Sequence, residues 1–228
     1  MSKVKVKSPF FIFNPKSFLY GEELLALAKV ADQEAQKHSD VSVFVTCPYA
    51  DLAAVAQATE HIIVSAQHLD GIEPGRGMGK VLPESLKAAG ARATFLNHAE
   101  NPMTMAEIVQ AIQRANDLDI ITIVCVDSMT EAQALATLHP DIILCEPTEL
   151  IGTGQTSDAS YIESTNEAIK AIDENILVMQ AAGISTAADV RRTIEMGADG
   201  TGCTSGVTKA DDPKEMLKDM IQAAAKAK

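Results

Sequence analysis

Short apolar runs alternate along this chain with longer segments in which apolar residues recur every three or four positions. The longer segments, such as 21–38 and 129–140, have the spacing of amphipathic helices. The short runs predict eight β-strands, at 10–13, 41–46, 61–66, 93–96, 120–126, 141–145, 176–181 and the less apolar 200–204. Runs that are apolar on both faces are typical of a parallel sheet covered by helices. The pattern therefore predicts an α/β protein.

Eight strand and helix units in 228 residues favour a closed (β/α)8 barrel, the TIM barrel fold. An open doubly wound sheet is the alternative. No GxGxxG motif follows a predicted strand, so the dinucleotide-binding signature of that alternative is absent. No linker-like segment or shift in composition divides the chain, and we expect a single domain over residues 1–228.

Composition limits the functions that are open to the chain. The formal net charge is -12, which disfavours nucleic acid as a partner. No run approaches the ~18 apolar residues that a membrane span requires, and the basic N-terminus runs directly into the first predicted strand. We therefore expect a cytoplasmic protein that does not bind membranes.

The four cysteines lie far apart, without a CxxC pair or a histidine at metal-binding spacing. Their positions within or beside apolar runs favour buried free thiols. We expect no metal site and no cofactor.

Polar and small residues stand where the predicted strands end. In a barrel the carboxyl ends of the strands converge on one face, where such enzymes place their active sites. The residues at these ends are Asn14, Lys16, Asn97, His98, Glu146, Gly183, Ser185, Ser205 and Gly206. The set contains a base, an acid or electrophile, a cation, an amide and small residues that expose backbone N–H groups to an anion.

These groups could abstract a proton next to a carbonyl. Glu146 would take the proton from carbon, His98 would polarise the oxygens, and Lys16 with Asn14 would stabilise the enediolate. The loop after Glu146 would then exclude water. Each residue alone also has a structural interpretation, such as a capping or solvated side chain, but the catalytic one is favoured because all lie at strand ends.

The same residues carry a resemblance to a known family. FIFNPK, AQHLDGIEPGRGMGK, FLNHAE, EPTELIGTG, AAGIST and SGVTKADDP occur in this order. These motifs resemble those of the triosephosphate isomerase family, especially its shorter archaeal-type branch, and the resemblance runs nearly end to end. It implies a small phosphorylated sugar as substrate and a homodimer or homotetramer.

The resemblance also implies roles for individual residues. Asn14 and Lys16 would contact substrate, His98 would be the electrophile and Glu146 the base. Glu100 would pair with Lys16. The remaining positions would bind or cover the substrate and its phosphate: Ile151, Gly152, Gly183, Ser185, Ser205 and Gly206.

Three positions near the predicted site depart from the family pattern. Pro15 stands where an aromatic residue is usual, Ala99 where serine is common, and Met78 where the intersubunit loop carries threonine. The reacting groups are intact, so triose-phosphate isomerisation is the primary hypothesis. An isomerase of another short sugar phosphate, such as a tetrulose phosphate, is an alternative, and so is a non-catalytic phosphate-binding barrel. A Schiff-base aldolase is disfavoured, because strand six presents Glu146 and not a lysine.

Overall fold

Eight parallel strands close into a barrel in a computed structural model that describes residues 3–146 and 159–227. Each strand pairs with the next along the chain, and the first pairs with the eighth. The strands are β1 (Phe10–Phe13), β2 (Ser42–Cys47), β3 (Ile63–Ala66), β4 (Ala93–Leu96), β5 (Ile121–Val126), β6 (Ile142–Cys145), β7 (Leu177–Gln180) and β8 (Gly200–Cys203). The predicted barrel is confirmed, and the pairing of β1 with β8 excludes an open sheet.

Helices follow the strands around the outside of the barrel. They are α1 (Gly21–Lys37), α2 (Leu52–Ala58), α3 (Pro83–Ala88), α4 (Met105–Asp117), α5 (Met129–Ala136), α6 (Ala159–Lys170), α7 (Ala187–Glu195), α8 (Ser205–Thr208) and α9 (Pro213–Lys226). Two of them begin with a reciprocal capping box, Thr104 with Glu107 on α4 and Thr186 with Asp189 on α7. Hydrogen bonds of these side chains therefore define where α4 and α7 begin.

The hydrophobic core has two parts, as expected for a helix-covered barrel. One cluster lies between the sheet and the helices, and a smaller one fills the barrel interior. Within the interior, the rings of Phe10 and Phe44 pack edge to face with centroids 5.9 Å apart. The interior cluster includes Ile12, Phe95, Leu144 and Met179 near the carboxyl end, so the floor of the barrel mouth is apolar.

The weak apolar character of β8 has a packing explanation. A Cβ added at Gly200 would lie 2.4 Å from the ring of Phe10, which is completely buried. One at Gly202 would lie 2.3 Å from the backbone oxygen of Ile12. The glycines therefore let β8 pack closely against β1 and its large aromatic side chain, which explains why hydrophobicity alone marks this strand poorly.

All four cysteines are buried and free, as the sequence indicates. Burial raises the pKa of Cys47 and of Cys203 to about 12 in each case, so both remain thiols at neutral pH. Across residues 3–146 and 159–227, no helix combines the length and apolar character needed to cross a membrane.

We predict that Gly200→Ala destabilises the fold by about 1–3 kcal/mol, because its methyl group would overlap the completely buried ring of Phe10. Urea unfolding of Gly200→Ala, Phe10→Leu and the double variant measures this in a double-mutant cycle. We expect the double variant to lose less stability than the sum of the two single losses, because leucine at position 10 is smaller than phenylalanine and leaves room for the methyl group at position 200. Strictly additive losses would contradict the proposed overlap.

Candidate active site

The carboxyl ends of the strands surround a cavity of about 250 Å³. Its apolar floor is the upper layer of the barrel interior, and polar groups line its walls. The predicted site residues that line it are Asn14, Lys16, His98, Glu100, Glu146, Gly183, Ser185 and Ser205. The barrel thus brings together residues from β1, β4, β6, β7 and β8 that lie far apart in sequence.

Lys16 is held in an unusual backbone conformation at the end of β1. Its φ of 51° lies in the left-handed region, which is costly for a residue with a side chain. The backbone N–H of Lys16 donates to Asn14 Oδ1 at 3.0 Å, and its carbonyl accepts from Gln67 Nε2 at 2.8 Å. These two bonds hold the lysine stem in one orientation toward the cavity.

The ammonium group of Lys16 is paired with a carboxylate. Lys16 Nζ lies 2.6 Å from Glu100 Oε1, as the family resemblance implies. The bond to Lys16 lowers the pKa of Glu100, outweighing the opposing effect of burial, so Glu100 is ionised. The ion pair therefore joins the segments that follow β1 and β4, and the carboxylate of Glu100 neutralises much of the charge on Lys16.

His98 is directed into the cavity by Asn97, the residue before it. Asn97 also has a left-handed backbone, with φ 57°, and its side-chain amide donates to Cys125 O at 3.0 Å. The backbone N–H of Glu100 donates to His98 Nδ1 at 3.1 Å. Because Nδ1 acts as an acceptor, the proton of a neutral imidazole lies on Nε2, which is then a donor toward the cavity.

The environment favours the neutral form of His98. Burial is the largest cause that lowers the pKa of His98, and the positive charge of Lys16 lowers it further, while Glu100 opposes the shift. His98 is therefore suited to donate a hydrogen bond as an uncharged imidazole.

Glu146 follows β6 directly, and its backbone N–H continues the sheet by donating to Val126 O at 3.1 Å. Burial is the largest cause that raises the pKa of Glu146; the charge of Lys16 lowers it, and Glu100, the smallest cause, raises it. A carboxylate that is poorly solvated is a stronger base than one in water. Its position at the cavity wall fits the predicted role of proton acceptor.

The loops after β7 and β8 contribute Gly183, Ser185 and Ser205 to the cavity. Both donors of Ser185 already have partners inside their own loop: its N–H donates to Asp189 Oδ2 at 3.1 Å and its hydroxyl to Gly183 O at 3.2 Å. The N–H of Ser205 has no acceptor among the described residues. The two loops therefore differ in how freely they can bind an anion.

Gly206 does not line the cavity. A Cβ there would lie 3.0 Å from Ile184 O and 3.1 Å from the Cα of Ser185. The absence of a side chain at Gly206 lets α8 pack against the loop that follows β7. Its structural role is thus to bring the two loops together. Ile151 and Gly152, also predicted to contact substrate, lie outside the described residues.

Gln67 and Lys209 are among the residues of this region that were not predicted from the sequence. Gln67 follows β3, the strand predicted at 61–66, so the strand-end rule used for the other residues would have indicated it. Lys209 also lines the cavity, but it follows the short helix α8 and lies beyond the end of β8. Its distance from the strand in sequence explains why a strand-end pattern does not reveal it.

The three departures occupy different environments. Pro15 is buried between Asn14 and Lys16, Ala99 is exposed, and the side chain of Met78 is completely exposed.

A second cavity of about 180 Å³ adjoins the first and shares Asn14, Lys16, His98 and Glu100 with it. Within the described part of the chain, no group of three or more His, Cys, Asp or Glu side chains could hold a metal ion.

Comparison with known proteins agrees with this geometry. The profile of the family described as Triosephosphate isomerase matches residues 9–224. The chain belongs to the triosephosphate isomerase family. Three similar relatives carry that name, and all three are matched over nearly their full length. This family membership agrees with the motifs from FIFNPK to SGVTKADDP.

The relative from Methanobacterium bryantii is 38% identical over 97% of this chain and 99% of its own. The one from Methanopyrus kandleri is 37% identical, with 95% and 98% covered. The one from Sulfurisphaera tokodaii is 35% identical, with 97% and 98% covered.

We predict that His98 stays neutral to a lower pH than an exposed histidine, with its proton on Nε2. Nitrogen-detected NMR titration measures both the pKa and the tautomer. In Lys16→Met the pKa of His98 should rise, because a positive charge that disfavours imidazolium is removed. A pKa at or above the ordinary histidine value in the wild type, or a proton on Nδ1, would contradict the assignment.

Proposed function

We propose that this chain interconverts glyceraldehyde 3-phosphate and dihydroxyacetone phosphate by proton transfer through an enediolate. The observation that carries the proposal is the meeting of three groups in one cavity: Glu146 with a raised pKa, His98 with a lowered pKa, and the Lys16 ammonium. Membership of the triosephosphate isomerase family supports the same reaction.

Each group has a defined role in this reaction. Glu146 removes the proton from the carbon next to the carbonyl, while His98 Nε2–H donates a hydrogen bond to the carbonyl oxygen. The negative charge that develops on that oxygen is stabilised by Lys16 and Asn14. His98 gives a proton to this oxygen and takes one from the neighbouring hydroxyl, which becomes the new carbonyl. Glu146 returns its proton to the former carbonyl carbon, so aldose becomes ketose with no net gain or loss of protons.

The fixed geometry of Lys16 supports this mechanism. Electrostatic stabilisation is effective when the stabilising charge does not have to move during the reaction. Bonds to Asn14, Gln67 and Glu100 hold the backbone and the ammonium group of Lys16 before substrate arrives.

A Schiff-base aldolase is less well supported. That chemistry requires an unprotonated lysine amine within the barrel. Of the lysines that line the cavity, Lys16 is engaged by Glu100 and Lys209 is exposed at the mouth. Borohydride trapping with substrate would test this alternative directly.

The first test is a coupled assay with D-glyceraldehyde 3-phosphate beside erythrulose phosphates. We expect turnover of the triose phosphate and little of the larger sugars, because the chain belongs to the triosephosphate isomerase family. Preferential turnover of the erythrulose phosphates would replace the proposal with the tetrulose-phosphate alternative. Turnover of none of them would support a non-catalytic phosphate-binding barrel.

Variants of Glu146 test the assignment of the base. Glu146→Asp should lower kcat by about 10²-fold, because removing one methylene withdraws the carboxylate from the reacting carbon by about 1 Å. Glu146→Gln keeps the shape of the side chain but cannot accept the proton, so it should lower kcat further. Circular dichroism checks that both variants fold. Wild-type kcat in either variant would dismiss Glu146 as the base.

We further propose a homodimer or homotetramer in the cytoplasm. The support for assembly is the exposure of Met78 on the loop at 73–79, together with exposed Phe18, Tyr20 and Tyr49. Light scattering on the wild type should give two or four times the chain mass of 24.2 kDa. Met78→Asp should lower that mass, whereas the control Ile172→Asp should not. A monomeric wild type would overturn the proposal.

A further inference from the structure

Lys209 lines the candidate active-site cavity from the side opposite Glu100 and His98. In the closed order of eight strands, β8 lies four strands from β4. Lys209 follows the short helix after β8, and its backbone N–H donates to Ser205 O at 3.1 Å. The cavity therefore has one lysine near β1 and β4, and a second at the end formed by the β7 and β8 loops.

The two lysines differ in their electrostatic partners. Lys16 Nζ lies 2.6 Å from Glu100, but Lys209 Nζ makes no hydrogen bond or ion pair with any residue in 3–146 or 159–227. The nearby carboxylate of Asp212 is occupied in capping α9, where it accepts from the N–H groups of Lys214 and Glu215. With respect to the described residues, Lys209 thus presents a positive charge without a partner to the cavity mouth.

Two features of the chain favour binding of an anionic substrate by this charge. The chain carries a net charge of -12, which repels a phosphate dianion at long range. The loop after β7 offers few free donors, since the N–H of Ser185 is bound to Asp189. The N–H groups of Ser205 and Gly206 have no acceptor among the described residues, and Lys209 adds a full positive charge close to them in the chain.

We propose that Lys209 binds the phosphate group of the substrate through its ammonium group and attracts the dianion to the β7 and β8 end of the cavity. This inference rests on the proposed function for the identity of the substrate. It assigns the two lysines separate tasks: Lys16 stabilises the reacting oxygen, and Lys209 holds the phosphate. The two lysines follow neighbouring strands, β1 and β8, but they differ in their partners: Lys16 is paired with Glu100 after β4, whereas Lys209 has no such partner among the described residues.

Inorganic phosphate is the probe that tests the proposal without turnover. We expect Lys209→Met to weaken phosphate binding about tenfold in calorimetry, the size of one lost charge-assisted hydrogen bond. Lys209→Arg should retain most of the affinity, because it keeps the charge. Lys214→Met removes a nearby exposed lysine that does not line the cavity, and should bind phosphate like the wild type.

Kinetics separate substrate binding from a structural effect. Lys209→Met should raise KM for glyceraldehyde 3-phosphate about tenfold while kcat changes little, as for a contact kept in ground and transition states. Its kcat/KM for unphosphorylated D-glyceraldehyde should equal that of the wild type. Added NaCl should reduce kcat/KM for the phosphorylated substrate more steeply in the wild type than in Lys209→Met.

The outcomes distinguish this inference from the proposed function. Weaker phosphate binding in Lys209→Met would support the role of Lys209 even if the wild type turned over no triose phosphate, which would overturn only the isomerase assignment. Unchanged phosphate affinity in Lys209→Met, no phosphate binding by the wild type, or an equal loss with D-glyceraldehyde would each overturn the role of Lys209.

Discussion

Closure of the barrel through the pairing of β1 with β8 is the constraint on which the site depends. The pairing extends beyond the strands, because the N–H of Asn14 donates to Cys203 O at 3.1 Å. In an open sheet the ends of β1 and β8 would lie at opposite edges, and no cavity could include both Lys16 and Ser205. The glycines of β8 make this closure possible by admitting the ring of Phe10 into the barrel interior. Packing at the centre therefore determines which polar groups meet at the mouth.

Within the mouth, Lys16 influences every ionisable group of the predicted chemistry. Its charge lowers the pKa of Glu100 and of His98, and it limits the rise that burial produces in the pKa of Glu146. Glu100 acts in the reverse direction on the other two. Because Lys16 and Glu100 have opposite charges, their effects on the other two groups partly cancel. The pKa of Glu146 therefore stays raised and that of His98 stays lowered, which suits a base and a neutral hydrogen-bond donor.

The fold was predictable because strand periodicity and the positions of polar residues at strand ends both follow from local sequence. That rule placed Asn14, Lys16, His98 and Glu146 in one cavity. It could not show backbone geometry: Lys16 has a left-handed backbone, and its carbonyl accepts a hydrogen bond from Gln67, 51 residues away in sequence. It also could not separate Gly206, which packs two loops together, from residues that line the cavity. The strand-end rule did not indicate Lys209, because helix α8 lies between this residue and the end of β8.

The departure at Pro15 bears on how the site is supported. Proline fixes its own φ and restricts the preceding residue to extended conformations, which limits the conformations open to Asn14. Asn14 Oδ1 then holds the backbone of Lys16, and Gln67 holds its carbonyl. These restraints all arise within one chain. They position Lys16 without any contribution from the side chain of Met78, which is completely exposed. The changed residues are thus compatible with an intact arrangement of the reacting groups.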